Sequence, residues 1–303
     1  MISFEDALTN SKIEFCFDLA LSARSSFRIG GLARYAAFPK DAAELAALLS
    51  LAHDFKVPFA VLGNCSNMLF DDDGFGGMLI FTERMNRFCL DGTRLECDCG
   101  VMLAKLSVEA ANRGLSGLEF ACGIPGSVGG AVYMNAGAYG SDISAILLES
   151  TVMDLTDGSL HRWDRESHAF GYRYSALQSS HTVCLSSVFR LVQSDPDAIR
   201  QWMDQNRKSR REKQPIEFPN AGSYFKRPAG YFAGKLIEDC GLKGARIGGA
   251  MVSVKHAGFI INCGGATCRD VLALEDMIRE RVWKEFGVML EREVRVFPNG
   301  KGE

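Results

Sequence analysis

The chain has 303 residues, of which 47% are hydrophobic and 23% are charged. This length and composition predict one large domain or two to three small ones with a sizeable core, and they exclude disorder along the whole chain. The formal net charge is only −3, from 34 basic and 37 acidic residues, so there is no general attraction for nucleic acid. A binding site for an anion must therefore be local.

No stretch approaches the run of about 20 apolar residues that a membrane-spanning helix needs. Residues 1–18 also lack a basic region followed by an apolar run, which is the pattern of an export signal. We therefore expect a cytoplasmic protein with no membrane partner. The balanced charge predicts no nucleic-acid partner, and the sequence gives no reason to infer an obligate protein partner.

The ten cysteines are scattered along the chain without a C-x-x-C pair, and the five histidines show no H-x-x-x-H spacing. Scattered cysteines in a long chain without an export signal are typical of reduced, buried thiols. We expect most of these thiols to be buried, and we expect no metal site.

The first predicted elements alternate between helix and strand. Residues 41–55 place apolar side chains on one helical face, with Asp41 and Glu44 at the spacing of a capping box. Strands are predicted at 57–63, 77–82 and 94–99, and a helix at 101–113.

Residues 114–140 are rich in glycine and contain one charged residue, Glu119. A flexible linker would carry more Ser, Lys or Glu, so this composition indicates backbone that packs closely against something.

The rest of the chain continues the mixture of helices and strands. Strands are predicted at 147–155, 159–163 and 181–191, and a change of composition near residue 195 indicates a domain boundary followed by a basic helix. A helix at 230–240, two strand-like runs at 245–254 and 258–263, a helix at 267–286 and a last strand at 289–297 follow. This alternation favours an α+β or α/β fold.

Two loops have the composition of a nucleotide site. Residues 63–67, Gly-Asn-Cys-Ser-Asn, follow a buried strand, and small residues there let main-chain N–H groups face an anion. Residues 122–130 contain four glycines, whose missing side chains would let a flat ligand approach. The first loop alone is better explained as an ordinary turn, but the second strengthens the case, because two glycine-rich loops suit one extended dinucleotide. Neither loop is a Rossmann fingerprint or a Walker loop.

Three further features have a structural and a functional explanation. The basic run at 207–213 is either a solvated helix face or a contact for an anionic substrate, for which Lys213 or an arginine would hold phosphate oxygens. Arg173 and Glu293, taken singly, look like ordinary residues of a turn and a strand.

Six separated blocks, in this order, match the pattern of one family. They are Ser26-Phe-Arg-Ile-Gly-Gly31, Leu62-Gly-Asn-Cys-Ser-Asn67, the segment from Gly117 to Ala131, Tyr172-Arg-Tyr-Ser175, Asn220-Ala-Gly-Ser-Tyr-Phe-Lys226 and Leu290-Glu-Arg-Glu-Val-Arg295. In these blocks the chain resembles the UDP-N-acetylenolpyruvoylglucosamine reductases over nearly its whole length, and it is similar to their shorter, type II-like form.

The resemblance implies an α+β fold. An FAD-binding domain of the vanillyl-alcohol-oxidase (PCMH) type would cover 1–195, as two subdomains with a boundary near 83. An α+β substrate-binding domain would cover 196–303, and its last strand, 289–297, could return to the first subdomain.

The resemblance also assigns roles to residues. Arg173, Ser223 and Glu293 would be catalytic, and the substrate would contact Tyr172, Arg173, Lys213, Asn220 and Lys226. FAD, bound without a covalent link, would contact Arg28, Gly30, Gly63, Asn64, Cys65, Ser66, Asn67, Gly123, Ile124, Pro125, Gly126, Ser127, Gly129, Gly130, Asn135 and Gly137, with its diphosphate on the amides of the two loops.

The implied activity is the NADPH-dependent reduction of UDP-N-acetylglucosamine enolpyruvate to UDP-N-acetylmuramate, in peptidoglycan synthesis. Arg173 and Glu293 would stabilise the negative charge on the substrate, and Ser223 would donate a proton. Two alternatives are a flavin oxidase of the same fold, acting on a sugar lactone or a hydroxy acid, and a flavin-binding sensor without turnover.

Cys65 is a departure from the family pattern, which usually has glycine at this place. The resemblance therefore leaves the local backbone at Cys65 as a point for the structure to decide.

Overall fold

The fold is that of a computed structural model, which describes residues 2–298. The chain forms two compact units, each built from several segments. Unit 1 comprises Met1–Phe17, Arg34–Asn64 and Gly76–Lys208. Unit 2 comprises Asp18–Ala33, Cys65–Phe75 and Ser209–Glu303.

Seven α-helices lie within residues 2–298, and none of them is long and apolar enough to cross a bilayer. They are α1 Phe4–Asn10, α2 Ala42–Asp54, α3 Leu103–Asn112, α4 Val128–Met134, α5 Pro196–Lys213, α6 Ala233–Asp239 and α7 Cys268–Phe286.

The strands are short and are distributed over both units. They are β1 Phe15–Ala20, β2 Leu32–Ala37, β3 Phe59–Leu62, β4 Met68–Phe70, β5 Phe75–Phe81, β6 Phe88–Asp91, β7 Arg94–Asp98, β8 Leu115–Ser116, β9 Gly137–Ala138, β10 Ser141–Asp142, β11 Leu147–Asp154, β12 Leu160–Asp164, β13 Thr182–Arg190, β14 Val192–Gln193, β15 Arg246–Ile247, β16 Ala250–Val252, β17 Ile260–Asn262 and β18 Arg295–Phe297.

The first core of unit 1 joins α2 to a sheet with the strand order β1-β2-β5-β3. Strands β3 and β5 are parallel, and the predicted helical face of α2 is buried, with Leu45 and Leu48 fully inaccessible. Asp41 caps the helix as predicted by accepting from the Glu44 amide, but the Glu44 carboxylate accepts from the amide of Lys40, so the expected capping box is incomplete.

The second core of unit 1 lies against an antiparallel sheet with the order β12-β11-β13-β7-β6. The glycine-rich segment 114–140 contributes to this core through Leu118, Val128 and Val132. It also contains α4, which propensity does not predict because glycine is a poor helix former. The expectation of closely packed backbone is confirmed.

In the core of unit 2, α6 and α7 pack against the hairpins of β15, β16 and β17. The single strand-like run predicted at 245–254 is divided by a turn at Gly248, whose φ is 52°. The strand predicted at 289–297 is regular only as β18, which pairs in parallel with β4.

The limits of the compact units differ from the predicted domain limits near 83 and at 195/196. Unit 1 ends at Lys208, inside the single helix α5, and unit 2 includes the early segments Asp18–Ala33 and Cys65–Phe75. The predicted domain limits stay predictions, and residues 299–303 of the second domain lie outside the described residues.

Six of the ten cysteines are buried. The prediction that most of the cysteines are buried is therefore confirmed. Burial raises the pKa of the Cys99 thiol, and burial also raises the pKa of Cys184.

Candidate active site

The two predicted cofactor segments meet in unit 1 through Gly63 and Asn64. The Asn64 side-chain amide donates to the main-chain oxygen of Pro125 over 2.5 Å. A Cβ atom added at Gly63 would lie 2.3 Å from Ser127 Oγ. Any side chain at 63 would therefore displace the Ser127 hydroxyl from its place beside this segment.

The glycines that begin α4 have two different functions. Gly129 packs inside the fold, because its amide donates to Cys99 O over 2.8 Å and an added Cβ would lie 2.9 Å from Cys99 Cβ. A Cβ atom added at Gly130 would lie 3.6 Å from Ser127 Oγ. Apart from its two chain neighbours and the backbone of the helix itself, no other described atom lies within 4 Å of that position. The amide of Gly129 is thus engaged within the fold, while Gly130 adjoins open space.

The cradle formed by Gly63, Asn64 and residues 123–130 fits a dinucleotide. Open space beside Gly130 leaves room for a flat or extended ligand, and no acidic side chain occurs in 122–130 to repel a diphosphate. Ile124, Gly123 and Gly126 are half-buried, whereas Pro125 is exposed. The residues present therefore suit FAD.

Arg173 occupies a tight turn of unit 1. Two main-chain hydrogen bonds, of 3.0 and 3.2 Å, join Gly171 to Tyr174, and Arg173 has a φ of 55°. Its guanidinium donates to Gly137 O over 3.0 Å and stands 5.2 Å from the centre of the Tyr172 ring. The turn fixes where the positive charge lies.

Asn135 supports that turn. Its side chain is buried, donates to Gly171 O over 2.9 Å and accepts from the Ser144 amide over 3.0 Å. The side chain is therefore engaged within unit 1, and the cofactor contacts expected of Asn135 and of Gly137, which pairs with Asp142 between β9 and β10, stay predictions.

Ser223 is exposed and lies in a turn of unit 2 that Asn220 shapes. The side-chain oxygen of Asn220, Oδ1, accepts from the Gly222 amide over 2.9 Å, and the side-chain NH2 group donates to the main-chain oxygen of Phe218 over 2.8 Å. Gly222 has a φ of 84°, which favours glycine. Asn220 thus holds the shape of the turn, and its expected contact with substrate stays a prediction.

The segments that carry Ser223 and Glu293 are neighbours in unit 2. Phe225 and Arg292 form an antiparallel bridge, and the Glu293 amide donates to Tyr224 O over 2.9 Å. The structure therefore brings together two of the three predicted catalytic residues within one unit.

Residues 65–67 also belong to unit 2. The Asn67 side-chain amide donates to Glu293 O over 3.0 Å, and Ser66 is half-buried. Cys65 is buried with a φ of 50°. The backbone at Cys65 thus has the left-handed conformation that glycine adopts without strain, which gives a physical reason for glycine at this place in the family.

Arg28 and Gly30 lie in unit 2. Arg28 is exposed with a φ of 55°, and Gly30 has a φ of 134° with Phe70 so close that an added Cβ would be 2.5 Å from Phe70 Cβ. Packing within unit 2 therefore requires glycine at 30.

The three remaining predicted substrate residues differ in their surroundings. Lys213 is exposed in the last turn of α5, and Tyr172 is 56% exposed. Lys226 forms an ion pair with Glu291. The Lys226 ammonium group is thus engaged by a carboxylate within unit 2, and its expected contact with substrate stays a prediction.

Glu275 is a buried carboxylate that none of the sequence motifs indicates. It lies on α7 with 1% of its surface exposed, and it accepts from the hydroxyl of Tyr224 and from the guanidinium of Arg292. The sequence does contain a signal for it. Glu275 falls at helical spacing on the same face of α7 as the apolar residues Val271, Leu274 and Ile278.

Comparison with known proteins gives matches over both halves of the chain. Residues 33–164 match an FAD binding domain, and residues 214–297 match the C-terminal domain of UDP-N-acetylenolpyruvoylglucosamine reductase. These matches confirm the predicted α+β fold with an FAD-binding domain, and FAD as its cofactor.

Relatives of known name are similar over nearly the whole chain. The UDP-N-acetylenolpyruvoylglucosamine reductase of Caldicellulosiruptor bescii is 47% identical, over 97% of this chain and 94% of that protein. That of Streptococcus pneumoniae strain JJA is 44% identical, over 95% of this chain and 96% of that protein.

A solved structure has the same fold. The crystal structure of UDP-N-acetylenolpyruvylglucosamine reductase (MurB) from Thermus caldophilus is 33% identical, with a TM-score of 0.79, over 95% of this chain and 99% of that one. Identity at this level, over this share of each chain, confirms the predicted family. The chain belongs to the UDP-N-acetylenolpyruvoylglucosamine reductase family of oxidoreductases.

Proposed function

We propose that the chain reduces UDP-N-acetylglucosamine enolpyruvate to UDP-N-acetylmuramate with NADPH, as a step of peptidoglycan synthesis. The observation that carries this proposal is the 47% identity over 97% of the chain to a reductase named for this substrate. The fitted nucleotide cradle in unit 1 and the paired Ser223 and Glu293 segments in unit 2 support it.

The cofactor cradle comprises Gly63, Asn64 and the loop 123–130, with Gly130 facing open space. FAD, when bound, supplies the chemistry of taking a hydride from NADPH and delivering it to the vinyl carbon remote from the ether oxygen. The glycines leave room for its flat ring or its diphosphate. The hydrogen bond from Asn64 to Pro125 O holds the two loops together.

Arg173 and Glu293 stabilise the charge that addition of hydride places on the substrate carboxylate. The Arg173 guanidinium is preorganised by its bond to Gly137 O, and the main chain of Glu293 is held by Tyr224 and Asn67. Preorganised groups of this kind typically contribute about 3–4 kcal/mol each to the stabilisation of a transition state.

Ser223 donates the proton to the carbon next to the ether oxygen. Its hydroxyl is exposed on a turn whose shape Asn220 and Gly222 fix, so a substrate can reach it. A serine hydroxyl is a weak acid in water, so the neighbouring groups must stabilise its anion as the proton leaves.

The substrate diphosphate binds Lys213, whose ammonium group is exposed, and Tyr172, Asn220 and Lys226 complete the contacts. We further propose that the reaction takes place in the cytoplasm. The scattered cysteines, six of which are buried, support this compartment, because a disulfide framework is typical of exported proteins.

The test follows two half-reactions through the flavin absorbance, with reduction by NADPH under anaerobic conditions and reoxidation by the substrate or by oxygen in separate samples. NADPH should bleach the purified yellow protein, and UDP-N-acetylglucosamine enolpyruvate should restore the colour much faster than oxygen does. Faster recovery with oxygen would favour the oxidase alternative, and failure of NADPH to bleach the protein would favour the sensor. Either result would overturn the proposal.

A further inference from the structure

A buried carboxylate stands behind the segments that carry Ser223 and Glu293. Glu275 has 1% of its surface exposed and lies on α7 beside the core residues Leu274 and Ile278. A buried charge is costly unless it is paired and hydrogen-bonded, so the contacts of this carboxylate define its function.

The Glu275 carboxylate joins two side chains from different segments. Its Oε2 atom accepts from the Tyr224 hydroxyl over 2.8 Å and lies 2.9 Å from Arg292 Nε. Arg279, one turn further along α7, is 3.5 Å from Oε1. Burial, followed by the charge of Glu275, raises the pKa of Tyr224 further above neutral pH, and the protonated phenol donates its hydrogen to the carboxylate.

The two side chains that Glu275 joins are the immediate neighbours of the proposed catalytic residues. Tyr224 follows Ser223, and Arg292 precedes Glu293. The main chains of the two segments are also paired. The Glu293 amide donates to Tyr224 O, and the Lys226 amide donates to Glu291 O. A shift of either side chain away from Glu275 therefore moves Ser223 or Glu293 relative to the other.

The helix that carries Glu275 is itself firmly held. Thr267 and Asp270 form a capping box at its start, and the Asp72 carboxylate accepts from the Cys268 and Arg269 amides over 2.7 and 3.2 Å. The carboxylate thus projects from a fixed element, as a group that orients others must.

We propose that Glu275 is a positioning residue for the protonation step, which fixes Ser223 through Tyr224 and Glu293 through Arg292. This inference rests on the proposed function, because it takes Ser223 and Glu293 as the groups that act on the substrate. Glu275 itself does not touch the substrate.

The decisive variant is Glu275→Gln, which keeps the size of the side chain and removes its charge. We expect the rate of flavin reoxidation by the enolpyruvyl substrate to fall between about tenfold and a hundredfold, the range of small misplacements in an active site. Reduction of the flavin by NADPH should keep its wild-type rate. Glu280→Gln, an exposed change of the same kind on the same helix, should alter neither rate.

Tyr224→Phe is the second variant, because it removes one hydroxyl and leaves the core packed even if Glu275→Gln fails to fold. It should also slow reoxidation selectively, at equal flavin content and well below its melting temperature. Equal slowing of both half-reactions, or no slowing in the folded variants, would overturn the positioning role.

Ser223→Ala separates this inference from the proposed function. If it slows reoxidation strongly while Tyr224→Phe and Glu275→Gln do not, the proposed function stands and the positioning role is wrong. If Ser223→Ala leaves reoxidation at the wild-type rate, the proposed role of Ser223 is wrong, and the inference about Glu275 is wrong with it.

Discussion

The side-chain amide of Asn67 donates a hydrogen bond of 3.0 Å to the main-chain oxygen of Glu293. The Arg295 amide donates in turn to the main-chain oxygen of Asn67 over 2.9 Å. Asn67 therefore bonds to the segment around Glu293 through both its side chain and its main chain. A residue predicted to bind the cofactor thus also positions a proposed catalytic residue.

We therefore expect Asn67→Ala to slow flavin reoxidation by the substrate more than flavin reduction by NADPH. The change leaves Glu293 O without this donor, and a lost hydrogen bond of this kind costs about 1 kcal/mol of stability. Asn64→Ala is the comparison, since it removes the bond to Pro125 O in unit 1 and should weaken flavin binding without changing the ratio of the two rates. An unchanged ratio in Asn67→Ala would contradict the prediction.

Gly130→Ala should stabilise the flavin-free protein while it weakens FAD binding. Alanine is favoured over glycine within a helix by about 1 kcal/mol, and an added Cβ would lie at an ordinary 3.6 Å from Ser127 Oγ. If the open space beside Gly130 receives the cofactor, the methyl group obstructs it. Thermal melts of the flavin-free protein and titration with FAD measure the two effects.

Gly129→Ala is the matched change one residue earlier. Its methyl group would press on Cys99, which is 1% exposed, so the variant should lose stability with or without FAD. Equal FAD affinity in Gly130→Ala and the wild type would show that the space beside Gly130 is not used by the cofactor.

Lys213→Ala should raise the Michaelis constant for the enolpyruvyl substrate with a smaller effect on turnover. An exposed ammonium group that binds a diphosphate contributes to substrate affinity, and its removal leaves the reacting groups in place. Lys235→Ala, which removes another exposed lysine, from α6, serves as the control for general charge. A Michaelis constant equal to that of the control would make Lys213 part of a solvated helix face.

The sequence predicts the elements whose signals are local. Leu45 and Leu48 of α2 and Val271 and Leu274 of α7 repeat at helical spacing, and the structure buries all four. The helix α4 could not be predicted in this way, because its formation depends on tertiary bonds from Val128 and Gly129 to Val101 O and Cys99 O.

The candidate site, like the fold, could be predicted from the sequence only in part. The loop 122–130 shows its glycines in the sequence, but only the structure distinguishes Gly129, which packs on Cys99, from Gly130, which faces open space. The pairing of the Ser223 and Glu293 segments joins residues far apart in the sequence, so no local spacing rule predicts it. The contact between Tyr224 and Glu275 is long-range for the same reason.

His168 is fully buried, and neither of its ring nitrogens has a hydrogen-bond partner within residues 2–298. Its ring stacks on Phe170 with centres 5.0 Å apart and meets the edge of Trp163 at 5.4 Å. Burial lowers the pKa of His168 to about 4, although the charge of Asp164 opposes the shift.

We expect this histidine to reduce the stability of the protein as the pH falls from about 6.5 to about 4. In that range the unfolded chain binds a proton at residue 168 and the folded chain does not, so protonation favours unfolding. His168→Phe removes this difference and buries no unpaired nitrogen, so it should be at least as stable at pH 7.5 and should lose less stability by pH 4.5. Melting temperatures of both proteins across this range provide the measurement. Curves that remain parallel from pH 7.5 to 4.5 would show that His168 does not contribute to the acid sensitivity of the fold.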